Sequence, residues 1–282
     1  MRIGITGVHG FLGEAVYKKL DELGHLVVSL DSITRKEYLA KRIEESNFTD
    51  FDWVLHFGSK TSISDSHNDP FSTYASNISS TLSALKIAEK TNSCFLFMSS
   101  FVYGSPQYSP IDEKHPVTSS NPYMSSKIVS EEICTQITKC KNIPLIILRG
   151  FNIYGEKLIP GRLISDLLIA KNNYEYITIN DPKPKRDYLY IKDFVSLIVL
   201  IVKFIPINTG IYNVGYGQAF TNLEVANIFR DLIGERRMVR VNGKKRKQDI
   251  LDCSVDTQLI KTTFSWSPKF SLKQGLSDIL SQ

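Results

Sequence analysis

The stretch Arg2-Ile3-Gly4-Ile5-Thr6-Gly7-Val8-His9-Gly10-Phe11-Leu12-Gly13 decides the fold. A short β-branched run ends in three glycines, and residues of helical spacing follow from Phe11 to Leu23. Each glycine has its own physical cause: one permits the sharp turn, one lets backbone approach a pyrophosphate, and one lets helix pack closely on strand. The first turn of that helix also presents unpaired N–H groups to an anion. A strand-to-helix turn without a ligand would need similar glycines, but this motif has the right position as well as the right spacing. Gly7, Gly10, Phe11, Leu12 and Gly13 are therefore expected to hold a dinucleotide.

Beyond this turn, short β-branched or aromatic runs alternate with longer helical segments. Strands are expected at Arg2 to Thr6, Leu26 to Leu30, Trp53 to Phe57, Cys94 to Ser99 and Leu145 to Arg149. Helices are expected near Phe11 to Leu23, Pro70 to Lys90 and Pro122 to Lys139. Strands apolar on both faces belong inside a parallel sheet covered by helices. The fold class is α/β, a Rossmann-type doubly wound parallel sheet over residues 1–155 with returning segments near 185–215. After Gly155 come a helix (Leu158 to Ala170), a strand (Tyr174 to Ile179), the turn Asp181-Pro182-Lys183-Pro184, and helices near Lys192 to Phe204 and Thr221 to Leu232. Residues 156–282 read mainly as a smaller C-terminal substrate-binding lobe. Asp31 ends the second strand, where a carboxylate can accept both hydroxyls of an adenosine ribose and repel a 2′-phosphate, which favours NAD. Arg35 could pair with a 2′-phosphate instead, leaving NADP open, and Asp31 could equally cap the helix that follows.

With 282 residues, 42% of them hydrophobic, the chain can bury a full core, which excludes disorder. Lys and Arg number 34 against 29 Asp and Glu, a net charge of +5, too mild to imply nucleic acid but suited to an anionic small substrate. The four cysteines Cys94, Cys134, Cys140 and Cys253 lack metal or disulfide spacing, and the five histidines lack ligand spacing, so no metal site is assigned. The N-terminal stretch lacks a signal-peptide layout, and the most apolar run, Phe194 to Ile205, is short and contains Lys203. A cytoplasmic protein without membrane insertion is the expectation.

Tyr123 and Lys127 lie one helical turn apart, so both project from one face of the helix that opens at Pro122. An ammonium beside a phenol stabilises the phenolate and lowers its pKa, as a general acid/base for a sugar hydroxyl requires. A Tyr-x-x-x-Lys spacing alone is usually only a helix face. Here it follows a strand ending Phe97-Met98-Ser99-Ser100, which sets a serine hydroxyl at the carboxyl edge of the sheet, where ligands bind in such folds.

With these parts in place, the chain resembles an extended short-chain dehydrogenase/reductase of the nucleotide-sugar epimerase/dehydratase family nearly end to end. The glycine motif is similar, as are Asp52-Trp53-Val54-Leu55-His56-Phe57-Gly58-Ser59, Asp69-Pro70 with Tyr74, Asn77, Thr81 and Leu85, Ser99-Ser100-Phe101-Val102-Tyr103-Gly104, and Asn121-Pro122-Tyr123 to Lys127. Further on, Arg149-Gly150-Phe151-Asn152-Ile153-Tyr154-Gly155, Arg186-Asp187-Tyr188 to Asp193, Tyr212-Asn213-Val214-Gly215 and Trp266-Ser267-Pro268-Lys269 complete the pattern. The resemblance implies an enzyme that moves a hydride at a hexose ring carbon, C4 foremost, of a nucleoside-diphosphate sugar, as epimerase or 4-ketoreductase, with NAD or NADP. It implies Ser99, Tyr123 and Lys127 as catalytic residues, Phe57, Gly58 and Ser59 together with Tyr123 and Lys127 against the cofactor, Lys127 on its nicotinamide ribose, Ser100, Asn152 and Arg186 on the substrate, and a homodimer.

Two departures qualify the pattern. One helix fills the short span from Asp31 to Trp53, so the family's third strand and the acid that contacts adenine are expected to be missing or reduced. Family dehydratases carry Asp-Glu after the catalytic hydroxyl, whereas here Ser100 and Phe101 stand there, which argues against dehydration. The run Gly243-Lys244-Lys245-Arg246-Lys247 reads by default as a solvated loop, but its place resembles the family's second diphosphate arginine, which would make Arg246 a partner of Arg186. A non-catalytic, cofactor-sensing or scaffold member of the same fold is the rival from another class.

Overall fold

Ile3 and Ile5 are wholly buried on strand β1 (Arg2–Thr6), and the chain turns at once into helix α1 (Phe11–Glu22). In the computed structural model, residues 1–34, 50–157, 161–171, 176–204, 209–234, 238–244 and 250–281 are described. After α1 come β2 (Leu26–Ser29), α2 (Asp31–Thr34), β3 (Trp53–His56), α3 (Ile63–Asn68), α4 (Pro70–Lys90), β4 (Cys94–Met98), α5 (Pro122–Lys141) and β5 (Leu145–Gly150). Then follow β6 (Asn152–Tyr154), α6 (Leu163–Ala170), β7 (Tyr176–Ile179), β8 (Lys185–Tyr190), α7 (Ile191–Lys203), β9 (Gly210–Val214) and β10 (Ala219–Thr221). The chain closes with α8 (Asn222–Ile233), β11 (Met238–Val241), β12 (Asp252–Cys253), α9 (Gln258–Phe264) and α10 (Leu272–Leu280).

The chain divides into two compact units. The first comprises Met1–Ser105, Pro116–Gly150 and Leu197–Tyr212; the second comprises Pro106–His115, Phe151–Ser196 and Asn213–Gln282. In the first, the strands lie in the order β2-β1-β3-β4-β5-β9, and the pairs β1–β2, β1–β3, β3–β4 and β4–β5 are parallel. This is the doubly wound sheet expected from the sequence. Consecutive crossovers run to opposite sides of β1, so the carboxyl ends of β1 and β3 form the topological switch point where such sheets bind ligands. The span expected to hold a single helix after Asp31, with Arg35, falls mostly in 35–49, outside the described residues. One core cluster sets Phe95 and Phe97 of β4 against Ala84, Leu85 and Ala88 of α4 and Cys134 of α5.

Both long helices start for the same local reason. Asp69 caps α4 by accepting from the Ser72 amide, Asn121 caps α5 by accepting from the Met124 amide, and in each the next residue is a proline, whose missing N–H costs nothing in the first turn. In the second unit, β8 is the central strand, parallel to β6 and β12 and antiparallel to β10, and a separate two-stranded parallel sheet joins β7 to β11. The helix expected from Leu158 begins at Leu163, because Gly161 at φ +82° turns the chain and its amide donates to Asp166 in the first turn. Residues 158–160 lie outside the described ones.

A Cβ placed on Gly13 would lie 2.1 Å from the Gly7 carbonyl oxygen, so helix and turn meet backbone to backbone. Gly13→Ala must force the glycine turn away from α1. It is expected to lower unfolding stability by about 1–3 kcal/mol and to weaken dinucleotide binding, measured by thermal unfolding and by cofactor titration.

Candidate active site

The loop after β1 and the loop after β3 touch without any side chain between them. Gly7 adopts φ +77°, and a Cβ on it would lie 2.7 Å from the Gly58 nitrogen and 2.8 Å from the Phe57 carbonyl carbon. The Gly10 amide donates to the Gly7 carbonyl at 2.8 Å, closing the turn that leads Phe11 and Leu12 into α1. Asp31, buried at the start of α2, accepts a hydrogen bond from the Gly7 amide and so braces the same turn. The Ser59 Oγ is buried and has no hydrogen-bond partner among the described residues. A bare glycine cradle at the switch point, beside an orphaned buried hydroxyl, fits the pyrophosphate and polar groups of a dinucleotide.

Beneath this cradle runs a buried polar chain. Thr6 Oγ1 accepts from the Gly58 amide at 3.0 Å and shares a 2.7 Å hydrogen bond with His56 Nδ1, while His56 Nε2 meets Thr81 Oγ1 at 3.2 Å. Burial, and secondarily the Lys127 charge, push His56 down to about 3, so its imidazole is neutral at physiological pH. From α4, Asn77 accepts from the Lys60 amide at 2.7 Å and donates to Ser126 Oγ at 2.8 Å, and Ser126 in turn donates to the Tyr123 carbonyl.

On α5, Tyr123 is half-buried and Lys127 is only 3% exposed, its ammonium 4.2 Å from the centre of the Phe97 ring. Burial lowers Lys127 to about 8, with the nearby Cys134 and Glu131 opposing the shift. Ser99 follows β4 directly; its amide donates to the Leu148 carbonyl at 2.8 Å and its hydroxyl donates to Glu131. Arg149 grips Glu131 with Nε 3.1 Å from both carboxylate oxygens and Nη2 2.7 Å from Oε2, and its Nη1 donates to the Tyr103 hydroxyl at 3.2 Å. Ser100 is half-exposed. Sequence reasoning passed over Glu131, although it repeats the Tyr123 and Lys127 spacing by one more turn of the same helix face.

In the second unit, Arg186 of β8 lies opposite Phe220 on one side and Cys253 on the other. Its Nη1 donates to the carbonyls of Lys185 at 2.8 Å and Ile250 at 2.6 Å. Asn152 donates to the Asp187 carbonyl at 3.2 Å. The Asp187 carboxyl accepts from the Tyr216 and Gly217 amides, while burial raises it to about 7. Asp193 likewise receives the Lys269 and Phe270 amides, so both aspartates of the Arg-Asp-Tyr segment are architectural. Arg246 lies outside the described residues, as do Lys245 and Lys247.

The model of the NAD dependent epimerase/dehydratase family matches residues 3–215. A UDP-glucose 4-epimerase of Mycoplasma pneumoniae is 27% identical, over 91% of this chain and 86% of that protein. Among solved structures, the UDP-glucose-4-epimerase of Stenotrophomonas maltophila with bound NAD and formylated UDP-arabinopyranose superposes with a TM-score of 0.87 at 23% identity, covering 100% of this chain and 97% of that one. RMD from Pseudomonas aeruginosa complexed with NADPH gives 0.86 at 22%, covering 99% and 96%. At such identities the structural likeness concerns the fold.

Two shifted bases, His56 and Lys127, each contribute to the pH response of stability. An unfolded histidine takes up a proton near 6.5 while His56 stays neutral down to about 3, so stability falls as pH drops across that window. An unfolded lysine keeps its proton up to 10.5 while Lys127 releases it near 8, so the unfolded state binds more protons in between and Lys127 makes stability rise with pH. Lys127→Met is expected to raise stability near neutral pH and to flatten the curve between about 8 and 10.5, read by urea unfolding at a series of pH values.

Proposed function

The chain belongs to the NAD dependent epimerase/dehydratase family, and on that premise we propose that it is a nucleotide-sugar 4-epimerase that retains NAD. The observation that carries this is the buried Lys127 ammonium, held on the helix that presents Tyr123 and on the sheet whose switch point carries the glycine cradle. When bound, NAD supplies the group that takes a hydride from the sugar ring and returns it. Tyr123 takes the proton of the ring hydroxyl and gives it back, and the buried Lys127 stabilises the phenolate and holds the nicotinamide ribose. Ser99 hydrogen-bonds the reacting oxygen.

The glycines, Phe11, Leu12 and Phe57 to Ser59 would hold the dinucleotide, with Gly7 and Gly58 admitting it closely. Asp31 disfavours a 2′-phosphate by charge, which favours NAD. Asn152, Ser100, Arg186 and Arg246 are assigned to a UDP-sugar, Arg186 gripping the diphosphate with the planar fork suited to phosphate oxygens. UDP is supported by the Mycoplasma and Stenotrophomonas relatives; the NADPH bound to the Pseudomonas protein supports a second reading, reduction of a 4-keto sugar. The presence of both Tyr123 and Lys127 argues against a non-catalytic scaffold. The four free cysteines suit a reducing cytoplasm, and a homodimer completes the proposal. Among the described residues no helix is long and apolar enough to cross a membrane.

With UDP-galactose as substrate, Tyr123→Phe is expected to lower kcat about 10²-fold or more while leaving cofactor affinity nearly unchanged. Ser99→Ala is expected to slow turnover more than Ser100→Ala. Near-normal turnover by the tyrosine variant would remove Tyr123 from the chemistry, and equal serine effects would misplace the hydroxyl.

A further inference from the structure

We propose that Phe97 is a positioning residue for Lys127: the face of its ring holds the ammonium in place and keeps it charged without cancelling the field that Tyr123 needs. This rests on the role given to Lys127 above.

Side chains alternate along β4, so Phe95 and Phe97 share one face of the strand, and both enter the core against α4 and α5. Phe97 is wholly buried there. The Lys127 ammonium stands over its ring, 4.2 Å from the centre, well inside the range of a cation–π contact. From β3 the His56 imidazole stacks on the same ring, with centroids 5.8 Å apart and planes at 25°. That imidazole is neutral at physiological pH, so it brings no second charge to the ring.

The remaining groups around the ammonium are spent elsewhere or carry no charge. Burial pushes the Cys134 thiol far up, so it stays protonated two turns along α5. The Glu131 carboxylate is taken by Arg149 of β5 and by Ser99. From α4, Asn77 donates to Ser126, and both are neutral. Burial works against the ammonium and lowers Lys127 to about 8. The negative face of a buried ring opposes that loss, because in a low dielectric it is a strong partner for a cation.

A ring suits this task where a carboxylate would not. A carboxylate in its place would take the N–H groups of the ammonium and offset its positive charge, and the Tyr123 phenol would lose the neighbour that lowers its pKa. An aromatic face attracts the cation through its quadrupole, carries no net charge and meets it on one side only. Lys127 therefore keeps donors for the nicotinamide ribose and its field at Tyr123, one turn back on α5.

The test replaces Phe97 in the full chain by mono-, di- and trifluorinated phenylalanine, rings of similar size whose faces are progressively less negative. Urea unfolding of the cofactor-free chain is followed against pH, with Lys127 intact and in the Lys127→Met background. A weaker ring face lets the folded lysine release its proton earlier, while the unfolded lysine keeps its own up to 10.5, so the rise of stability with pH must begin lower. With the trifluorinated ring that onset is expected to fall by about one pH unit, roughly tenfold in the acid constant, with smaller shifts for the other two. In the Lys127→Met background fluorination is expected to leave the shape of the pH curve unchanged. An onset that ignores fluorination, or a fluorination effect equal in both backgrounds, overturns the proposal, since a ring that only fills space gives one or the other. In enzyme loaded with NAD and turning over UDP-galactose, the alkaline limb of kcat is expected to move down in the same order. Shifted unfolding curves with a fixed limb would uphold the contact and strike the catalytic role given to Lys127, which separates the two failures.

Discussion

The buried pair of Arg149 and Glu131 is the interaction on which the rest of the first unit depends. It joins the end of β5 to the middle of α5, and through Ser99 it reaches the end of β4, so three elements that carry candidate catalytic groups are fixed by one set of charge-assisted bonds. Burial disfavours the guanidinium charge, but the hydrogen bonds and field of Glu131 outweigh it and hold Arg149 above its ordinary value. Replacing both partners by apolar residues need not be destabilising, whereas removing one strands a charge at a cost of about 3–5 kcal/mol. The pair is better understood as setting geometry than as a source of stability.

A second constraint ties that helix to the glycine cradle. Thr6, His56 and Thr81 form one buried polar line and Asn77 and Ser126 another, the latter ending on the Tyr123 carbonyl. Thr81 Oγ1 also donates to the Asn77 carbonyl at 2.8 Å, so the two lines are one network. Each member is satisfied by its neighbours, which makes the network rigid and makes any single loss expensive. The loop that would hold the pyrophosphate and the helix that would hold the proton carrier are thus registered by hydrogen bonds rather than by apolar packing alone.

Much of this was legible from sequence where local chemistry decides the outcome. The glycine turn, the apolar runs of β1 and β3 to β5, and the Asx-Pro starts of α4 and α5 carry their structure in a few consecutive residues. Strand β8 was not legible as a strand: Lys185, Arg186 and Asp187 open it with three charges, and its central place depends on three partners distant in the chain. The late start of α6 depends on the backbone of Gly161. Ser99 is a candidate by motif register, and its burial and its bond to Glu131 arise from tertiary pairing of β4, β5 and α5, which no local pattern reports. Arg186 was found as a candidate diphosphate ligand, while the burial of Asp187 beside it follows from the turn at Tyr216 and Gly217.

Hydride return within one enzyme, without exchange of the reducing equivalent with solvent, is the central claim. It is tested most directly by letting purified protein act on UDP-galactose in deuterated water and examining the product by NMR. The account predicts UDP-glucose whose ring carbons carry no solvent deuterium, because the hydrogen leaves and returns on the retained cofactor while only the hydroxyl proton exchanges through Tyr123. Deuterium on a ring carbon of the product would contradict it.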